Sequence, residues 1–180
     1  MQINISTLQI QPFLKGMTTQ QLEVLAKDSM LADFDVGRRI LNEGGPSNRF
    51  YLILEGRVEL ELPVLGGEAV HIETLGAGDV FGWSWLFAPY HCYFDARVVA
   101  PTKTIFFYGT HLHLRDLCEQ NHDLGYELMK RVSEIVVKRL LATRHELMEY
   151  KNSAPGQFKG KEIFDPAKIV QQTAINVEQV

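Results

Sequence analysis

The sequence predicts a mainly β fold, an antiparallel sandwich or roll flanked by helices, with a long helix towards its carboxyl end. Between residues 32 and 108, short apolar runs alternate with glycines, a pattern typical of short strands joined by tight turns. Before this region and after residue 110, the apolar residues recur at helical spacing. The 180 residues, 46% hydrophobic and 22% charged, have the composition of an ordinary globular protein and suffice for one sizeable core.

A short amphipathic helix is predicted to open the folded region. Apolar residues recur at helical spacing between Thr18 and Leu31, and Thr18 or Thr19 can cap the helix. Strands are predicted at 38–41, 50–54, 58–62 and 104–108. In the strand at 58–62, apolar residues alternate with glutamates, so one face should meet the core and the other should meet water.

A long helix is predicted over about residues 123–150, because no proline and, after Gly125, no glycine interrupts the helical spacing. The apolar stripe of this helix consists of Met129, Val132, Val136, Leu140, Thr143 and Leu147. A second apolar set consists of Leu128, Ile135, Val137 and Leu141. One face could therefore pack on the domain while the other meets a partner helix, and we expect a homodimer through this helix.

The predicted organisation has three parts. An N-terminal segment covers residues 1–14, a domain that includes the long helix covers 15–150, and a tail covers 151–180. Pro155–Gly156 and Asp165–Pro166 allow the tail at most one short helix. The tail is too short for an independent DNA-binding domain, and it could pack on the domain or contact a protein partner.

Charge and composition exclude several classes of function. The net charge of −4 provides no long-range attraction for nucleic acid or anionic lipid, so we do not expect direct DNA binding. No apolar run approaches the roughly 20 residues of a membrane-spanning helix. Residues 1–8 lack the regions of a signal peptide, and we therefore expect a cytoplasmic protein with no membrane association.

The sequence contains no convincing catalytic or metal-binding motif. Cys92 and Cys118 are far apart and have no metal-ligand spacing. His111 and His113 form a His-x-His pair of the kind that metal-binding β-barrel enzymes use, but they follow the last predicted strand and lack a suitably placed carboxylate. Nucleophile elbows and phosphate loops are also absent from the sequence. We therefore expect no catalytic residue, no metal and no cofactor.

Four glycine signatures appear in order along the predicted strands. They are Gly37 before Ile40–Leu41, Glu43–Gly44, Phe50–Ile53 followed by Glu55–Gly56, and Leu75–Gly82. Together they resemble the cyclic-nucleotide-binding domain of catabolite-activator-like regulators, kinase regulatory subunits and gated channels. The resemblance covers about residues 15–150. The run Gly82–Phe87 also looks like that of small stand-alone bacterial members of Crp/Fnr type without a helix-turn-helix. The resemblance implies an antiparallel β-roll of the double-stranded β-helix, or jelly-roll, type.

The resemblance also implies a ligand site after Gly82, where free N–H groups of a short helix face the cyclic phosphate. In the family, a glutamate directly after Phe-Gly binds the ribose, and a later arginine binds the phosphate. Trp83 and Phe94 occupy these two positions here. Arg97 is the nearest replacement, but three residues from Phe94 it should point to the opposite strand face, so we expect it to be a structural ion-pair partner. We therefore expect no physiological binding of cyclic AMP or cyclic GMP.

Residues 83–94, called the aromatic segment below, include both tryptophans of the chain. The pocket candidates are Phe81, Gly82, Trp83, Ser84, Trp85, Leu86, Phe94 and Arg97. The aromatic side chains could fill the vacated pocket as core. They could instead form a remodelled pocket for an apolar or aromatic ligand, with Ser84 and free N–H groups orienting an anion. As a third alternative, they could form an exposed patch that docks a protein partner.

The function predicted on these grounds is a regulatory or interaction module and not an enzyme. It would act through an unidentified small molecule or through a protein partner that contacts the aromatic segment or the tail. The alternative is a Crp/Fnr-like, nucleotide-responsive transcriptional regulator or sensor. Binding of bulk DNA at low salt would distinguish the two.

Overall fold

A computed structural model describes residues 3–64, 66–109 and 113–153, with side chains described throughout except at 146, 147 and 149–153. The chain divides into two compact units, and the boundary between them lies between Met129 and Lys130. The first unit contains an antiparallel sheet and the helices that flank it in sequence, and the second contains most of the long helix. The predicted β-roll with flanking helices is confirmed. The predicted tail lies outside the described residues from position 154 onwards.

Helices precede the sheet. Helix α1 spans Ile5–Gln9, a 3₁₀ turn spans Pro12–Leu14, and helix α2 spans Thr19–Lys27. Thr18 caps α2 through reciprocal hydrogen bonds with Gln21, in which each backbone N–H donates to the other residue's side-chain oxygen. The N-terminal segment, set apart from the domain in the sequence, contributes buried side chains to its core, namely those of Leu8, Phe13 and Leu14.

The sheet has six strands. They are β1 (Ser29–Phe34), β2 (Arg39–Leu41), β3 (Arg49–Leu62), β4 (Val70–Leu75), β5 (Val80–Phe81) and β6 (Asp95–Tyr108). The main order is β1-β6-β3-β4, while β2 pairs with β6 and β5 pairs with β3, and all of these pairings are antiparallel. The two long strands β3 and β6 form the centre, with register running from Arg49 opposite Tyr108 to Glu61 opposite Asp95.

Strand β3 joins two segments that the sequence predicts as separate strands. Gly56, at φ 95°, lies where the register against β6 shifts. A Cβ atom at this position would lie 2.3 Å from the carbonyl oxygen of Pro101. Glycine therefore permits a bulge with close backbone contact, and the strand continues through the position where the sequence suggests a turn.

The sheet has two apolar faces. Its inner face encloses a cluster of Tyr51, Ile53, Val58, Leu60, Leu75, Phe81, Ala96, Val98 and Phe106. On the other face, the ring centroid of Phe50 lies 5.3 Å from that of Phe13, 6.4 Å from that of Trp85 and 6.1 Å from that of Phe107. This alternation follows from the two-residue period of a strand, and the second face packs the N-terminal residues against the sheet.

Two helices follow β6. Helix α3 spans Leu114–Gln120, and helix α4 spans His122–Ser153. The predicted long helix is therefore confirmed, and it begins one residue earlier and ends three residues later than the sequence suggests. Within the described ranges, no helix combines the length and the apolar character needed to cross a lipid bilayer.

Candidate ligand and interaction site

The aromatic segment begins where β5 ends. The Phe81 ring stacks on that of Tyr51 at 4.8 Å between centroids and an interplanar angle of 8°. Gly82 then takes φ 80°, and a Cβ atom there would lie 2.6 Å from the carbonyl oxygen of Arg49. Glycine is thus required both by its conformation and by the close approach of β3. The chain continues into a 3₁₀ turn at Trp83–Leu86.

The two tryptophans occupy different environments. Trp85 is only 1% exposed and belongs to the outer-face core, where a Cβ atom at Gly109 would lie 2.4 Å from its Cγ. Trp83 is half-buried, and its ring meets that of Phe87 edge-on at 6.2 Å. Ser84 is buried and Leu86 is half-buried. The turn therefore buries its two middle side chains and leaves the first and the last half-buried.

The remaining aromatic side chains of the segment also differ in burial. Phe94 is half-buried and packs against the inner-face cluster of the roll. Phe87, Tyr90 and Tyr93 are exposed. The segment thus supplies core residues at some positions and leaves three aromatic side chains on the surface at others.

Backbone hydrogen bonds hold the aromatic segment against the loop after β2. Gly44 N–H donates to Cys92 O at 2.8 Å, and Cys92 N–H donates back to Gly45 O at 2.8 Å. Ser47 N–H donates to Tyr90 O at 2.7 Å. Tyr90 has φ 61°, which is unusual for a residue other than glycine. These contacts fix the path of the segment on the side that faces β2.

Arg115, at the start of α3, holds the segment from the other side. Its Nη2 donates to Trp85 O at 2.9 Å, and its Cζ lies 3.8 Å from the Tyr90 ring centroid. The second distance is well within the range of a cation–π contact. Arg115 could not be predicted as part of the site, because a lone arginine in a helical stretch belongs to no motif and its partners lie more than twenty residues earlier in the chain.

Arg97 is engaged by carboxylates. Its Nε donates to both carboxylate oxygens of Glu61, at 3.0 and 3.1 Å, and its Nη2 donates to Glu59 Oε2 at 2.7 Å. These hydrogen bonds hold the pKa of Glu61 below its usual value and raise that of Arg97. Beside this pair, Asp95 bonds to Arg39 Nη1 at 3.1 Å and accepts from the Glu43 N–H at 2.7 Å. The five charged side chains, those of Arg39, Glu59, Glu61, Asp95 and Arg97, lie together at one end of the β3–β6 pair.

Groups suited to metal or nucleophilic chemistry do not converge. Among the residues that the structure describes, no set of three or more His, Cys, Asp and Glu side chains could hold a metal ion. Of the His-x-His pair, His111 lies outside the described residues, and the His113 ring lies 5.2 Å from that of Tyr108. Burial raises the pKa of both thiols, that of Cys118 to about 11, so both are protonated at neutral pH.

The stripe predicted on the long helix does not form a single exposed face. Val132 is 1% exposed, Val136 is half-buried, and Met129, Leu140 and Thr143 are exposed. The side chain of Leu147 lies outside the described ones. The apolar side chains exposed on α4 are those of Tyr126, Met129, Val137, Leu140, Leu141 and Met148. At about 100° per residue, these cluster on the side opposite the buried Leu124, Leu128 and Val132.

Comparison with known proteins agrees with this architecture. The family model described as "Cyclic nucleotide-binding domain" matches residues 32–121, which is half of the chain. A solved structure from Geobacter metallireducens, described as a cyclic nucleotide-binding protein, superposes with a TM-score of 0.69 and 31% identity, over 77% of this chain and 98% of that one. This chain belongs to the cyclic-nucleotide-binding-domain family.

Curated relatives match over part of their length. The CRP-like cAMP-activated global transcriptional regulator of Mycobacterium tuberculosis is 28% identical over 75 residues, which is 42% of this chain and 34% of the regulator. Glutaminase 1 of Bradyrhizobium diazoefficiens is 24% identical over 131 residues, which is 73% of this chain and 20% of that protein. The chain thus spans about a third or less of these relatives.

Proposed function

We propose that this domain is a regulatory or interaction module that does not bind cyclic AMP or cyclic GMP at physiological concentrations. It acts instead through another ligand or through a protein partner, without a catalytic step. The observation that carries the proposal is the state of Arg97, the arginine nearest to the expected phosphate position. Its guanidinium already donates to Glu61 and Glu59, so its charge is compensated, and these two carboxylates would repel a phosphate at the same group.

The side chains at the two family positions support the same conclusion. Phe94, where the resemblance places the phosphate-binding arginine, packs against the inner-face cluster and carries no charge. Trp83, where it places the ribose-binding glutamate, offers an indole N–H but no acceptor for a hydroxyl. The conformation of Gly82 is compatible with a short turn of free N–H groups, but both charged side chains that would complete such a site are missing.

Magnitudes indicate how much affinity these replacements remove. Truncating one partner of a buried charge pair costs roughly 2–5 kcal/mol, and losing a hydrogen bond to a carboxylate costs about 1.5–3 kcal/mol. Even the lower values together weaken binding by a few hundredfold, at about 1.4 kcal/mol per factor of ten. A micromolar nucleotide site would therefore become sub-millimolar or weaker.

Thermal unfolding with cyclic AMP or cyclic GMP tests this proposal. A ligand present at about 100 times its Kd stabilises the folded protein by about 2.7 kcal/mol, a readily measured rise in Tm. We expect no clear rise at about 0.1 mM of either nucleotide, which is about 100 times the Kd of an intact site of about 1 μM. A clear rise in Tm with either nucleotide would contradict the proposal. The Arg97→Gln variant would then show whether Arg97 holds the phosphate.

We also propose that the partner at α4 is a second copy of the chain. The exposed apolar residues of this helix lie on one side, opposite its buried face, which is the arrangement of a helix that pairs with another helix. Leu140, at 66% exposed, and Leu141 are the two leucines that would gain most from such pairing. Two copies of this stripe would bury the same residues on both sides.

A nucleotide-responsive transcriptional regulator or sensor remains the second candidate. It is favoured by the match to the mycobacterial regulator over 42% of this chain. An electrophoretic mobility shift with bulk DNA at low salt separates the two candidates. We expect no shift in the absence or presence of cyclic nucleotide, whereas a nucleotide-dependent shift would support the regulator.

A further inference from the structure

We propose that Arg49, Tyr108 and His113 form a separate binding site for an oxyanion, such as a carboxylate or phosphate group. The three residues lie where β3 begins and β6 ends. This is the opposite end of the β3–β6 pair from the Arg97 network, because Arg49 is in register with Tyr108 while Glu61 is in register with Asp95. The site is therefore independent of the function proposed above.

The first observation is the position of the Arg49 guanidinium. Its Cζ lies 5.3 Å from the ring centroid of Phe106 and 5.4 Å from that of Tyr108. Both distances are within the range of a cation–π contact, so two aromatic rings orient the guanidinium group. Arg49 nevertheless remains an exposed residue. Its planar fork of N–H donors is thus held in place while it stays accessible to a ligand.

The second observation is that the guanidinium interacts with two tyrosine hydroxyl groups. Hydrogen bonding to Tyr51, and more weakly to Tyr108, raises the pKa of Arg49 and keeps it charged. Burial raises the pKa of Tyr51, so this group stays a neutral phenol. A phenol oxygen that accepts a hydrogen bond from arginine still has its own O–H to donate. The Tyr108 hydroxyl can therefore add a donor beside the guanidinium.

The third observation is the charge of the surroundings. In the described part of the chain, no salt bridge joins Arg49 to a carboxylate, whereas Arg97 is paired with two. His113, whose ring lies 5.2 Å from that of Tyr108, adds an imidazole group to the same end of the roll. An oriented and accessible arginine without an acidic partner, beside further N–H and O–H donors, matches the geometry that binds carboxylate and phosphate oxygens.

The test is a titration of the whole protein with sodium phosphate and with sodium acetate at constant ionic strength, followed by NMR of the arginine Nε–H and backbone amide signals. We expect saturable shifts of the Arg49 Nε–H and Tyr108 amide signals, with Kd in the millimolar range or tighter. The anion that binds more tightly distinguishes a phosphate site from a carboxylate site. Shifts that do not saturate, or that sodium chloride reproduces equally, would overturn the proposal.

Variants provide the specificity control. Arg49→Gln should weaken binding at least tenfold, while Arg57→Gln, at another exposed arginine of β3, should leave the affinity unchanged. Tyr108→Phe keeps the ring beneath the guanidinium and removes only the hydroxyl, so it should fold normally and weaken binding by a smaller factor. Equal effects of the Arg49 and Arg57 variants would mean nonspecific charge attraction and would overturn the site. Nucleotide binding at the Arg97 end would leave this result unaffected.

Discussion

The ion pair between Glu61 and Arg97 makes the stability of this fold depend on pH. Because Arg97 lowers the pKa of Glu61 in the folded protein, the folded state binds this proton less readily than the unfolded chain does. The stabilisation is therefore fully present above the unfolded carboxyl pKa of about 4.3. It is lost as the pH falls through the lower folded value.

We expect Glu61→Gln to lower the free energy of unfolding by about 1 kcal/mol at pH 7, since the Arg97 side chain is 37% exposed and solvent screens the pair. The difference from the wild type should shrink as the pH falls below about 4.3, where the unfolded chain binds the proton, and should vanish below the lower folded pKa of Glu61. Urea unfolding at the two pH values measures both effects. Glu55→Gln, at an exposed position of the same strand, is the control and should change stability by less than about 0.5 kcal/mol.

Gly82 is the residue at which the backbone leaves β5 for the aromatic segment. Gly82→Ala should destabilise the fold by about 2–4 kcal/mol, because alanine resists the left-handed conformation and its Cβ would collide with the carbonyl oxygen of Arg49. Gly76→Ala, where the added atom would meet nothing within 4 Å, is the matched control. Equal losses of stability on chemical denaturation would contradict this explanation.

At the residue scale, the sequence predicts which residue types stand at the family's ligand-site positions better than it predicts which side chains contact each other. The replacements at Trp83 and Phe94 can be read directly once the glycine signatures are aligned. The two-residue period of a strand also predicts that the side chains of Arg97 and Phe94 point to opposite faces. Some contacts depend on the tertiary packing of distant segments, and no local sequence pattern predicts them. Examples are the contacts of Arg115 with Trp85 and Tyr90 and those of Arg49 with Phe106 and Tyr108.

At the scale of elements, Arg115 connects the aromatic segment to α3. Arg115→Ala should loosen the segment, because it removes the hydrogen bond to Trp85 and the cation–π contact with Tyr90. We expect at least a tenfold faster amide hydrogen exchange within residues 83–92, with less change in the β3–β6 core. Arg115→Lys, which keeps the charge but loses the planar fork, should lie between the wild type and the alanine variant. Unchanged exchange in Arg115→Ala would show that the backbone contacts to the β2 side hold the segment alone.

The exposed apolar residues of helix α4 predict that the chain self-associates through this helix. Leu140→Gln should weaken self-association at least tenfold, because it places a polar group in the centre of the exposed apolar stripe. Lys138→Gln, two residues away but outside the stripe, should leave association unchanged. Sedimentation equilibrium over a range of concentrations measures both. A monomeric wild-type protein at all concentrations would contradict pairing through α4.

Helices and strands with regular apolar spacing were predicted well, but the way that neighbouring segments connect was not. The helix α4 and the strand at 58–62 follow from apolar spacing alone. The continuation of β3 through Gly56 could not be predicted, because the same glycine suits a turn or a bulge and the pairing with β6 decides between them. The burial of residues 8, 13 and 14 was not predicted either, and the contact of Phe13 with the distant ring of Phe50 is one that no local pattern reveals.

At the scale of the whole molecule, the glycine signatures identify the fold because a roll of short strands must turn tightly in a fixed order. Function is less readable, since the same fold can bind a nucleotide, another ligand or a protein. We propose that the two charged side chains of the family's ligand site are replaced in this chain. The central claim is therefore the absence of physiological nucleotide binding.

Isothermal titration calorimetry of the purified chain with cyclic AMP and cyclic GMP, up to about 1 mM, tests that claim most directly. We expect heats no larger than those of dilution, with wild-type protein and Arg97→Gln indistinguishable. Micromolar binding by the wild type that is lost in Arg97→Gln would mean that Arg97 leaves Glu61 to hold the phosphate, and the domain would then be a nucleotide sensor.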